Sequence, residues 1–301
     1  MKRIFGALGS LVLCAWAAAQ DPPVRPSITG IAYVRITVSD LENSRGFYEK
    51  KLGFSSNKSG CHAIVVPCVD VNGLQSIEFD QPSSADPSNL VTAIVFATSS
   101  VAGLKRYLEA HGVKTGEIYS LDNESQQFEV VDAERHCIAF VQQPDSHSGV
   151  WSRSQVSSKL IHAGFVVHDR AAMDRFYKDI LGFHLYWQGG RKDDETSWVN
   201  MQVPDGTDWI EYMLNVPANA DHHTLGVMNH IALGVPDIKV AREQLIKNGW
   251  KPGEEPKIGR GGKWQLNLYD PDDTRVEFME FTPVQKPCCS DYTGPHPGSK
   301  Q

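Results

Sequence analysis

Four stretches of this 301-residue chain repeat one pattern: an apolar strand, a polar cap, an amphipathic helix, then glycine followed by a hydrophobic residue. The first runs from Ile31 to Val38, through Ser39-Asp40 and Phe47-Tyr48, to Gly53-Phe54. The second has Val91 to Phe96, Ser99-Ser100, then Leu104, Tyr107 and Leu108 before Gly112-Val113. The third has Ile161 to Val167, Asp169, Met173, Phe176-Tyr177 and Leu181 before Gly182-Phe183. The fourth has His230 to Val235, Pro236-Asp237, then Ala241, Leu245 and Ile246 before Gly249-Trp250. Ser and Asp accept hydrogen bonds from the free N–H groups of a first helical turn. Apolar residues three and four apart give each helix one stripe to lay on a sheet. Glycine can take the left-handed conformation that ends a helix. Alternating β-rich segments follow, such as 198–203 and 209–214, so the unit is βαβββ.

A single such module leaves apolar surface uncovered, so the modules are expected to pair. This gives an α+β fold of two domains, at 28–145 and 159–285. The polar, turn-rich stretch Gln143 to Gly149 suits a linker between them. Residues 286–301 hold Pro, Gly, Ser and Lys without periodicity and are expected to form an irregular tail.

The first nineteen residues are of a different kind. Met1-Lys2-Arg3 is basic, Ile4 to Ala19 is apolar, and small residues stand at Ala17 and Ala19, the layout of a secretory signal peptide spanning 1–19. The rival, a membrane anchor, needs roughly 20 apolar residues. A lipoprotein cut before Cys14 is disfavoured by the bulky Leu13. The expected compartment is periplasmic or secreted, with no membrane partner after cleavage. With 29 Lys and Arg against 36 Asp and Glu, the net charge is −7, and no basic run is present. That excludes a general nucleic-acid binder. Of six cysteines, Cys14 leaves with the signal. Export permits a Cys61–Cys68 disulfide, Cys137 reads as a buried thiol, and the pairing of Cys288 and Cys289 stays open.

Phe176 to Phe183, Asn229 to Leu233 and Asp270 to Glu277 resemble the vicinal oxygen chelate superfamily, which includes glyoxalase I, extradiol dioxygenases and fosfomycin-resistance proteins. The resemblance covers almost all of the mature chain as four modules. It implies that each module pair closes a cup of curved sheet, and that first and last strands supply ligands to a divalent metal.

Applied residue by residue, it points to the C-terminal pair. His162 lies fifteen residues before Tyr177, and Glu211 follows it by 49 residues. His230 opens the fourth module and Glu277 follows by 47. His162, Glu211, His230 and Glu277 thus match the glyoxalase I ligand pattern. Such a set suits one divalent ion (Zn, Ni, Co, Mn or Fe) with positions open for substrate oxygens. In the N-terminal pair the matched positions are read as Tyr33, Glu78, Thr92 and Ala139, which leaves that half without a complete ligand set.

The resemblance implies lyase or isomerase chemistry on a small substrate with two neighbouring oxygens, through a metal-stabilised enediolate. Glu211 or Glu277 would be the catalytic base. Export weighs against a glutathione-dependent reaction. The extradiol dioxygenases are the rival, sharing four modules with metal in the C-terminal pair. Their signature His is absent from Trp264 to Pro271, and Asn267 falls where their Tyr belongs. A non-catalytic ligand-sequestering protein is the third reading. Asp221-His222-His223-Thr224 reads as a solvated loop, and Ile258 to Lys263 as a glycine-rich hairpin connection. The only partner implied is a small molecule, and the chain is expected to be a monomer or homodimer.

Overall fold

The computed structural model describes residues 23–56, 66–81, 90–121, 125–143 and 152–298. The expected signal peptide, Cys61 and all but the first residue of the expected linker lie outside these.

Sixteen described strands form two eight-stranded curled sheets. In the first, β1 (Ile28–Thr37), β2 (Ser55–Ser56), β3 (Cys68–Asn72) and β4 (Gln75–Asp80) come from module one. Module two adds β5 (Val91–Thr98), β6 (Tyr119–Ser120), β7 (Gln126–Val131) and β8 (Cys137–Gln142). The second sheet holds β9 (Lys159–Val166), β10 (His184–Gly189), β11 (Trp198–Gln202) and β12 (Trp209–Met213) from module three. Module four supplies β13 (His230–Val235), β14 (Lys257–Ile258), β15 (Trp264–Tyr269) and β16 (Arg275–Glu280).

The order is β2-β3-β4-β1-β5-β8-β7-β6 in one sheet and β10-β11-β12-β9-β13-β16-β15-β14 in the other. Each module's first strand runs parallel to its own last strand and antiparallel to the first strand of its mate. First and last strands are therefore the four central strands of every sheet. Alternate residues on a strand face the same side, so those strands aim one set of side chains at a common centre.

The helices cross the opposite faces. Helix α1 (Leu41–Arg45) widens into a π turn over Gly46–Lys51, and α3 (Arg170–Asp174) does so over Arg175–Ile180. Helices α2 (Val101–Ala110) and α5 (Ile238–Lys247) occupy the same places in modules two and four, and α4 (His222–Met228) precedes β13. Asp40, Ser100, Asp169 and Asp237 cap the four module helices through side-chain acceptors, as their sequence positions predict. Gly53, Gly112, Gly182 and Gly249, which follow them, all have φ between 77° and 89°.

One apolar core of strand and helix residues runs through both domains, and smaller clusters line the interior of each sheet. Phe96 meets Phe183 edge-on at 5.3 Å across the two halves. Burying a side chain of this size contributes about 1.5–3 kcal/mol. Two hydrogen bonds of one design also cross: Tyr48 donates to Asp270, and Tyr177 to Asp132. No described helix is long and apolar enough to span a membrane.

The sequence left two places incompletely described. Asp221-His222-His223-Thr224 is not a loop but the start of α4, with Asp221 accepting from the Thr224 N–H. Residues 286–298 form no helix or strand, yet they are bonded along β10. Trp187 Nε1 donates to the Cys288 carbonyl, Ser290 exchanges hydrogen bonds with the Gln188 backbone, and Tyr186 Oη meets His296 Nδ1. Cys288 and Cys289 are joined to each other, Cys68 is disulfide-bonded, and Cys137 is a free, half-buried thiol.

Candidate metal centre

The central strands of the second sheet bring His162, Glu211, His230 and Glu277 to one point. His162 Nε2 and His230 Nε2 are 3.1 Å apart. Glu211 Oε2 lies 3.2 Å from His230 Nε2 and 3.9 Å from His162 Nε2. Glu277 Oε2 lies 3.6 Å from the His162 nitrogen and 3.8 Å from that of His230. Both imidazoles are wholly buried. Ligand atoms of His162, Glu211 and His230 all fall within 4.8 Å of one another. Donors about 2.1 Å from one ion stand roughly 3 Å apart at right angles and about 4.2 Å apart when opposed. The five separations fit that range.

Neighbouring groups hold these side chains for ligation. His230 Nδ1 is 2.9 Å from the carbonyl of Met228, at the end of α4. Donating there places the proton on Nδ1 and leaves the Nε2 lone pair aimed at the centre. His162 stacks on Trp209 with centroids 4.7 Å apart. Oriented to satisfy both ends of its amide, Asn200 donates to Glu211 Oε1 at 2.8 Å and accepts from Trp209 Nε1 at 3.1 Å. Gly164, paired with His230 across β9 and β13, makes room for the imidazole: a Cβ there would sit 2.0 Å from His230 Cε1. Two imidazoles with nitrogens 3.1 Å apart, two carboxylates and a cradle shaped for one ring fit a divalent cation.

The charges agree with that fit. Burial, reinforced by the nearby charges of Arg275 and His162, holds His230 well below its ordinary pKa, which keeps it neutral. For Glu277, burial opposes ionisation. The His162 hydrogen bond and the charges of Arg275, His162 and His230 outweigh it, and the carboxyl falls to about 2. Burial pushes Glu211 upward against the pull of His162, and Glu277 adds to the rise.

In front of the four lies a cavity of about 560 Å³. Glu211, Glu277, Asn200, Asn267 and Arg275 line it, with the Ile258 to Lys263 connection and tail residues Gln285 to Cys288 and Tyr292. Several of these were not anticipated. Lys263 is 1% exposed, with its amine 5.0–5.3 Å from the ring centres of Trp209, Tyr292 and Tyr186. Burial brings its pKa down to about 7. A lone lysine in a glycine-rich turn carries no sign of this, because Tyr292 reaches it from the tail.

Other sequence expectations fall elsewhere. The β14–β15 hairpin forms as expected, and Arg260 in its loop pairs with Asp193. His222 and His223 are exposed and bond near Asp272 and Asp273, away from the four candidate ligands. In the first sheet, Tyr33 donates to Gln127 and Arg35 pairs with Glu78. The ladder corrects one correspondence. Gly164 pairs with His230 and Arg35 with Ala93, so Ala93 rather than Thr92 stands where His230 does. Ala139 keeps its match with Glu277.

A family model described as the Glyoxalase/Bleomycin resistance protein/Dioxygenase superfamily matches residues 30–120 and 159–278. No curated protein sequence matches the chain. Among solved structures, it is similar to homoprotocatechuate 2,3-dioxygenase from Arthrobacter globiformis. That match has 18% identity and a TM-score of 0.65, over 89% of this chain and 85% of the other. The Brevibacterium fuscum homoprotocatechuate 2,3-dioxygenase with 3,4-dihydroxyphenylacetate matches at 18% identity and a TM-score of 0.63. It covers 94% of this chain and 86% of the other. At such identity the likeness is one of fold.

Proposed function

The chain belongs to the Glyoxalase/Bleomycin resistance protein/Dioxygenase superfamily. From that premise we propose that it is an exported, divalent-metal-dependent enzyme with glyoxalase-like lyase or isomerase chemistry. Its substrate would be a small molecule with two neighbouring oxygens. The observation that carries this reading is the second carboxylate: Glu211 approaches the same pair of imidazole nitrogens as Glu277. A ring-cleaving site of two histidines and one carboxylate has no need of it.

In this reading His162, His230, Glu211 and Glu277 hold the ion. When bound, it supplies Lewis acidity toward the substrate's oxygens. One carboxylate takes the proton from the carbon beside the carbonyl and returns it to the neighbouring carbon. Glu211 suits this role, since burial raises its carboxyl and Asn200 steadies its second oxygen. The buried walls and the tail keep bulk water from the intermediate.

A dioxygenase reading has its own support in the whole-length likeness to two such enzymes and in the compact group of His162, Glu211 and His230. Elemental analysis and isotope exchange separate the two. The first reading expects one divalent ion per mature chain, lost on replacing His162 and His230 by Ala. It also expects solvent deuterium to enter a hydroxy-carbonyl compound beside its carbonyl, and to stop doing so in Glu211→Gln. Bound iron with oxygen uptake on a catechol, and no such exchange, would overturn it in favour of the second.

A further inference from the structure

Among the residues lining the cavity before the candidate ligands, cationic side chains outnumber carboxylates, although the protein is acidic. Lys257, Arg260, Lys263, Arg275 and Lys286 line it, against the carboxylates Glu211 and Glu277, while the whole chain carries −7. Three of the five cations are engaged. Arg260 pairs with Asp193, Lys257 with Glu254, and Lys263 sits among aromatic rings with its amine on Tyr186 Oη. Arg275 differs. It opens β16 directly beside His230 in the ladder, on the face that carries Glu277. Its Nε is buried without a hydrogen-bond partner, and although its charge reaches Glu211 and Glu277, no direct ion pair joins it to a carboxylate among the described residues. On the neighbouring strand β15, directly opposite Glu277, Asn267 Oδ1 is also buried and unpartnered.

A buried guanidinium donor left without an acceptor beside a site for a dication is costly unless a ligand supplies the acceptor, and an anionic one adds counter-charge. The planar fork of arginine matches a carboxylate through two parallel hydrogen bonds. We infer that Arg275 selects the substrate's charge, and that the cavity takes a small oxygenated carboxylate. The carboxylate lies on Arg275, two neighbouring oxygens face the four candidate ligands, and a hydroxyl reaches Asn267 Oδ1. This rests on the metal-dependent reading above and adds the substrate class to it.

The probes are acetohydroxamate and the monohydroxamates of succinic and glutaric acid, which present the same neighbouring oxygens and differ by a distal carboxylate. Calorimetry on metal-loaded mature protein should find the better carboxylated probe at least about tenfold tighter. In Arg275→Gln that preference should nearly vanish while acetohydroxamate binds as before. Arg275→Lys, which keeps the charge without the fork, should fall between them. Equal binding of all probes by the wild type, or a preference that survives Arg275→Gln, overturns the assignment. Failure of the metal reading would show separately, as no metal retained by the wild type. Titration of metal-free protein then decides, read from the fluorescence of the cavity residues Trp187 and Trp198. Succinate should quench the wild type at about tenfold lower concentration than Arg275→Gln. No difference between the two, or tighter binding of inorganic phosphate than of succinate, overturns the carboxylate assignment.

Discussion

Gly164 shows how closely the candidate centre depends on single atoms. Its missing side chain is the space into which the His230 ring fits, and a Cβ would meet that ring at 2.0 Å. Gly164→Ala should therefore push the imidazole off the centre and weaken metal binding at least about tenfold, by analogy with losses on disturbing supporting residues. Metal titration against the melting temperature checks this, since a general loss of fold would lower both. Lys263 gives a pH signature. Its pKa falls to about 7 in the fold, from 10.5 in the open chain. Above pH 10.5 the amine is neutral in both states and costs nothing. As pH falls toward 7 the unfolded chain takes up a proton that the folded one refuses, so stability drops by up to about 1.4 kcal/mol per pH unit. Lys263→Met should remove that slope, as denaturant titrations at about pH 7 and about pH 10 would show. A flat wild-type profile would contradict it. His162, Glu211, His230 and Glu277 were legible because two repeats present the same residue types at matched positions. Lys263, Asn200 and Arg275 were not, because each acquires its meaning only when distant strands and the tail close around it.

At the scale of elements, the two π turns tie the domains together. Each carries a buried Phe-Tyr pair, and each tyrosine hydroxyl crosses to an aspartate in the turn before the last strand of the other domain. Asp270 also accepts from the N–H groups of Asp272 and Thr274, and Asp132 from those of Glu134 and His136. Tyr48→Phe and Tyr177→Phe keep the ring and remove only the donor, so each should cost about 1–2 kcal/mol. Metal content should not change. Chemical denaturation of both variants tests this, and a neutral result would mean that water replaces the hydroxyl. The two tyrosines and Asp270 were visible as motif residues, whereas Asp132 was not. The partnership across the domains was not visible either, because Tyr48 and Asp270 are 222 residues apart. Helix α4 escaped notice for a different reason: at seven residues it is too short to show a period.

Over the whole molecule, the two cups solve one problem of charge differently. Counting from Tyr33 and His162, the position of Gly164 is held in the first sheet by Arg35, and the position of Glu211 by Glu78. Where the second sheet leaves room for an imidazole, the first inserts a guanidinium, which meets Glu78 at 2.9 and 3.1 Å. The cation of the N-terminal cup is thus part of the chain. Arg35 stands in plain view in the sequence, yet its role appears only in the strand register that sets it opposite Glu78. Two matched variants follow. Glu78→Gln leaves Arg35 without its counter-charge and should destabilise the protein by on the order of 2 kcal/mol. That is less than for a fully buried pair, because the Arg35 side chain is 22% exposed. Its metal content and deuterium exchange should match the wild type. Glu211→Gln should do the reverse, losing exchange and most of the metal, while compared in the metal-free state its folding stability should change little, since Glu211 makes no direct ion pair with an Arg or Lys among the described residues. Both proteins can be assayed on one preparation for metal, exchange and denaturation midpoint. If Glu78→Gln lost metal as Glu211→Gln does, the centre would have to draw on both sheets, and the placement of all four ligands in the C-terminal cup would fall.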